Sequence, residues 1–215
     1  MHSFKIGSAM LEWASGAKGD LIPTWNGRLL ASKVDPYKEA KIWVESHADI
    51  LSYTEGIFVL GLGAGYHIRE LQVFYPKVKI IVFEALLDLV SAKSLRSWQE
   101  NGQVSVYGGD LAWNFFSSSE AKDMLSGLYI VLQHKSSMEI NPTFYQNISN
   151  RLVGRTWSSY HHILKARGTA SFLSEVQVTS RDELISIKHI MDALKENKNK
   201  TSEDVLWSCL SELVK

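Results

Sequence analysis

Cysteine is nearly absent from this chain: Cys209 is the only one in 215 residues, which excludes an intrachain disulfide framework and any multi-cysteine zinc or iron-sulfur site. Net charge is absent as well. The 23 Lys+Arg balance 23 Asp+Glu, so the chain lacks the basic field that nucleic-acid binding usually requires, and nucleic acid is not an expected partner. No apolar run approaches the ~20 residues of a membrane helix. The first residues, MHSFKIGSAMLEW, lack a signal peptide's charged start and uninterrupted apolar core. These absences lead to the expectation of a cytoplasmic protein with no membrane partner. Internal repeats and low-complexity segments are also missing. The length suits one α/β domain with appendages.

What is present concentrates between Ile57 and Glu84, IFVLGLGAGYHIRELQVFYPKVKIIVFE. An apolar run ends at Gly61, Gly63 and Gly65, a helical pattern follows to about Phe74, and a β-branched run from Val78 to Phe83 delivers Glu84. Glycines let a backbone turn tightly and come close to a ligand. A carboxylate at the end of the next strand can accept the hydroxyls of a ribose. In the dinucleotide fingerprint a third glycine would stand where this chain has Tyr66, so a phosphate-free nucleoside fits better. The alternative is a strand-to-helix turn whose glycines serve packing alone.

A short strand from Val104 ends at Asp110, which either accepts from an exocyclic amine or caps the following helix. Residues 119–125 read as a helix and 128–132 as a buried strand that ends near His134. Strand and helix thus alternate at least four times. The expected fold is α/β: a Rossmann-like three-layer sandwich, mostly parallel, with helices on both faces, an irregular N-terminal cap and a helical C-terminal extension. The expected boundaries are 1–52 for the cap and its helix, 53–165 for the nucleoside-binding core and 166–215 for the extension.

In the cap, Asp35-Pro36 opens a helix that runs to about Ser52, with Ala40, Trp43, Val44 and His47 on one face. Another helix is expected over 86–98, and one from Pro142 that continues toward Ala166. Ser180 to Glu183 has the form of a capping box, and Leu206, Leu210 and Leu213 stripe a last helix that calls for a protein partner or a second copy of the chain. Most of the seven tryptophans read as core. His161-His162 are adjacent and point about 100° apart on a helix, so no metal site is expected.

The GxGxG turn with its aromatic successor resembles motif I of the class I S-adenosylmethionine-dependent methyltransferases, and Gly109-Asp110-Leu111 is similar to the segment that lines adenine there. That resemblance implies S-adenosylmethionine as cofactor, held by Gly61, Gly63, Gly65, Tyr66, Glu84 and Asp110. Asn26-Gly27, the run Ala31 to Pro36 with Glu39-Ala40, Leu60 to His67, and Asn141 to Tyr145 together resemble the amino-terminal domain of the motility accessory factors, a family associated with flagellin glycosylation. A histidine is expected before Ser32 in that family, and Ala31 stands here; the chain also stops before the motif that opens the family's transferase domain. His134, after the fourth strand, is the one candidate base, and an aspartate found there in related aminopropyltransferases is missing. Two functions follow: an adenosine-binding methyltransferase-like protein, or a non-catalytic interaction module on the same fold.

Overall fold

The computed structural model describes residues 11–92 and 102–154, and the chain divides into two compact units, Met1–Ile148 and Ser149–Lys215. The capping box at Ser180, the terminal amphipathic helix, His161-His162 and Cys209 all lie outside the described residues.

The first unit opens with an antiparallel meander, β1 (Leu11–Ser15), β2 (Leu21–Trp25) and β3 (Arg28–Leu29). Asn26 and Gly27 join β2 to β3 with φ of 50° and 77°, the left-handed pair that a two-residue hairpin needs to match strand twist. Leu30 follows, fully buried. Asp35 then caps α1 (Pro36–Glu45), its side chain accepting from Lys38 N at 3.0 Å with Pro36 at the first helical position, as the sequence predicted.

The expected helix to Ser52 is interrupted. Ser46 Oγ and His47 Nδ1 both approach the Trp43 carbonyl at 2.7 Å, competing with the backbone for an end-of-helix acceptor, and a separate turn, α2 (Ala48–Leu51), follows.

The second sheet is parallel and four-stranded: β4 (Gly56–Leu60), β5 (Lys79–Glu84), β6 (Val104–Gly108) and β7 (Tyr129–Gln133), in the order β6-β5-β4-β7. Helices α3 (Tyr66–Phe74), α4 (Leu87–Ser91), α5 (Ser119–Ser126), α6 (Lys135–Met138) and α7 (Pro142–Leu152) complete the elements, with a 3-10 segment over Gly109–Ser117. The fold is therefore α/β, a parallel sheet flanked by helices, compatible with a Rossmann-like arrangement. Every residue of β4 is buried, as a central parallel strand requires. Alternation along it sorts the core: Ile57 and Val59 join an aliphatic cluster with Val44, Ile68, Ile80 and Val82, while Phe58 meets an aromatic one. In that second cluster Phe115 stands edge-on to Phe58 and Phe83 at 5.6 and 5.3 Å, and each such buried ring contributes ~1.5–3 kcal/mol.

Three further expectations need correction. The described part of α4 stops at Ser91, because Ala92 is extended at ψ 119°, and 93–101 lie outside the described residues. The helix from Pro142 does not run on toward Ala166; it ends at Leu152, and Gly154 with φ 69° turns the chain out of helical geometry. Asp110 caps nothing: the 3-10 segment starts one residue earlier, with Gly108 at the cap, and Ser118 caps α5 through Ala121 N at 3.1 Å.

The sheet order sets the position of any site. From β4 the chain steps outward through β5 to β6 and then returns to β7 on the other side of β4. Ligands of open parallel sheets sit at the strand C-termini where that order reverses. Here that place is the turn after β4, facing the end of β7.

Candidate functional site

Gly61, Gly63 and Gly65 form the turn, with φ of 105°, 50° and 78°. A side chain at any of them would be strained by the backbone alone. Space is the second constraint. A Cβ at Gly61 would come within 2.2 Å of Ser137 Cβ, and one at Gly63 within 2.6 Å of His134 Cε1 and 3.0 Å of the Leu30 carbonyl. The glycines thus permit a close approach, and in this structure what approaches is the chain itself, through Ser137, His134 and the Leu30 carbonyl.

Glu84 ends β5 one residue beyond the Leu60–Phe83 pair, fully buried. Its Oε2 accepts from Leu62 N at 2.7 Å, inside the glycine turn; its Oε1 accepts from Leu86 N at 2.9 Å and from the Tyr145 hydroxyl at 3.0 Å. Burial raises the carboxyl above its ordinary range, and the donors from Leu86, Leu62, Tyr145 and Gly63 oppose that rise without cancelling it. Tyr145, fully buried on α7, also accepts from Ala85 N at 3.2 Å, and burial beside Glu84 pushes its phenol far up. A ribose would need the lone pairs that these groups occupy.

Asp110 is exposed and takes no part in this network. Tyr66 is half-buried, edge-on to Tyr37 at 4.9 Å, with its phenol raised by burial and by Asp20. His67 is buried, its Nε2 3.1 Å from the Gly61 carbonyl, and its ring lies flat against His134 at 4.2 Å and 5°. Trp43 meets the outer edge of the pair at 5.0 Å from His67. His134 Nδ1 is 2.8 Å from Ser137 Oγ. Burial, and secondarily His134, holds His67 well below the ordinary imidazole range, and burial takes His134 down to about 4. Both rings are neutral at pH 7. Ser137 beside a histidine suggests a nucleophile, but Ser137 is fully buried against Gly61 and cannot meet a substrate.

A cavity of ≈ 210 Å³ opens on the other side of this histidine pair. It is walled by α1 (Pro36, Glu39, Ala40, Trp43), by the glycine turn and the start of α3 (Ala64, Tyr66, His67) and by the β7–α6 corner (His134, Lys135, Ser136), with Ala31 also lining it. The structure therefore brings Tyr66 and His134 together on one cavity and puts Gly61, Gly63 and Glu84 in a closed corner beside it. Among the described residues no group of three or more His, Cys, Asp or Glu could hold a metal ion. No helix among them is long and apolar enough to cross a membrane.

Sequence reasoning assigned no role to Ser137 and placed Glu39 and Tyr145 only within a family resemblance. Tyr145 acts on a partner 61 positions away, a separation no local periodicity reports. Glu39 had a local signal: it lies one turn into a capped helix, and its Oε2 accepts from Ser32 N at 2.6 Å, closing the loop before α1.

No protein-family model, curated protein or solved structure matches this chain.

Proposed function

We propose that this chain is a non-catalytic interaction module, built on a Rossmann-like, three-layer methyltransferase-type fold and related to the amino-terminal domain of the motility accessory factors. The observation that carries the reading is Glu84: a fully buried carboxylate with both oxygens engaged by Leu62, Leu86 and Tyr145. The acid that would grip a ribose instead ties the glycine turn to β5 and α7. The one candidate base, His134, is poorly suited to taking a proton at neutral pH, since it is held down to about 4 and is clamped by Ser137. The partner is a protein or a second copy of the chain, and the leucine stripe of 206–213 is the sequence feature that points to it.

Calorimetric titration with S-adenosylmethionine and S-adenosylhomocysteine tests the reading. No saturable heat is expected from the folded protein with either. Micromolar binding that Glu84→Ala abolishes would overturn it. One observation favours the rival, an adenosine-binding methyltransferase-like protein. Three left-handed glycines and an acid stand at the ends of adjacent parallel strands, beside the reversal of strand order. That rival requires Tyr145 to leave Glu84 when ligand enters, so the same titration decides between the two.

A further inference from the structure

The cavity between α1, α3 and α6 is not used by the closed corner, and its wall carries a definite pattern of hydrogen-bonding groups. His67 is 4 % exposed, and its Nε2 faces the Gly61 carbonyl, which fixes the ring proton on that nitrogen. Nδ1 has no hydrogen-bond partner among the described residues and remains a lone-pair acceptor on a ring that lines the cavity. On the α1 wall, Glu39 gives one carboxylate oxygen to Ser32 N and keeps the other. On the α6 wall stands Lys135, exposed. Trp43, Tyr66, Pro36, Ala40 and Ala64 supply apolar and aromatic surface between them.

The ligand class follows by elimination. A simple cation would suit Glu39 and His67 and be repelled by Lys135. A simple anion would suit Lys135 and face a carboxylate and a lone pair. A molecule with an ammonium and a carboxylate on one carbon satisfies all three, and its side chain can lie on the aromatic wall. Size agrees: ≈ 210 Å³ is below the roughly 300 Å³ at which sites for drug-sized ligands begin, and is enough for an amino acid. We propose that this cavity binds a free α-amino acid, its ammonium on His67 Nδ1 and Glu39 and its carboxylate on Lys135. The assignment rests on the non-catalytic reading, in which Tyr145 keeps the nucleoside corner shut.

The test uses the full chain, with thermal shift and calorimetry against the standard L-amino acids one at a time, their decarboxylated amines, and S-adenosylhomocysteine. At least one amino acid should bind saturably, and its amine should bind about 10-fold more weakly or worse. Lys135→Met, at an exposed site, should weaken the amino acid about 10-fold and leave the amine unchanged; Glu39→Gln should weaken both. Silence from every amino acid in a folded sample overturns the assignment and leaves the non-catalytic reading intact. Equal affinity for an amino acid and its amine also overturns it, because Lys135 then holds no carboxylate. Binding of S-adenosylhomocysteine without any amino acid removes both readings.

Discussion

Two corners flank the same glycine turn, and they have opposite fates. On the β5 side Glu84 is fully buried and both its oxygens are engaged, by Leu62, Leu86 and Tyr145. On the β7 side His67 and His134 use one ring nitrogen each on the protein, and a cavity begins where the stack ends. The difference shows that a glycine-rich turn at the reversal of strand order does not by itself make a ligand site. Glycine admits whatever comes near, and here a serine and a histidine of the same chain have come within the space a Cβ would fill.

The comparison breaks most sharply at Glu84. Glu84→Ala strands the buried Leu62 N–H and the buried Tyr145 hydroxyl, each costing about 1–3 kcal/mol, and frees the part-buried Leu86 N–H, so a loss of about 3 kcal/mol is expected in urea unfolding. A change under ~0.5 kcal/mol would mean that the corner is open in solution. Tyr145→Phe keeps the ring and removes only the hydroxyl that donates to Glu84, for an expected loss of about 1–1.5 kcal/mol in the same measurement.

Acid distinguishes the corners by sign. His67 and His134 have folded values below the ordinary 6.5, so their contribution is complete above about pH 6.5 and is lost as pH falls from there toward 4. Glu84 is raised above 4.5, so its contribution is present below that value and is lost as pH rises through the folded one. The unfolding midpoint of the protein should therefore drop between pH 7 and pH 5 more steeply than that of His134→Asn, and parallel pH profiles would remove the histidine from the account. The smallest effect belongs to Asp110→Asn: exposed and outside the network, it should change stability by under ~0.5 kcal/mol.

The alternation of strand and helix from Ile57 to Leu132 was legible because parallel strands leave apolar, β-branched runs, and β4, β5 and β7 lie where those runs fall; β4 and β5 are buried, while β7, expected to be buried, is an edge strand with only Leu132 buried. Asp35-Pro36 marked α1 for an equally local reason. The site was half legible. The positions of Gly61, Gly63, Gly65 and Glu84 at successive strand ends were read directly, but what meets them was not. The contacts from Tyr145, Ser137 and His134 cross tens of residues, and no single-sequence pattern encodes a partner at that range. Helix ends were missed at Ser46 and Leu152 because side chains in one case and a left-handed glycine in the other stop helices whose apolar spacing would allow them to continue, and at Ala92 the backbone turns extended with no local sequence mark.

Amide hydrogen exchange at Leu62 and Leu86, in the protein without any ligand, reads the closed corner directly. Both amides should exchange slowly, near the rate of the buried β4 amides, and S-adenosylhomocysteine should leave them unchanged. Exchange at the rate of an open loop, slowed only when that ligand is added, would show that Glu84 waits for a ribose and that the corner is a binding site after all.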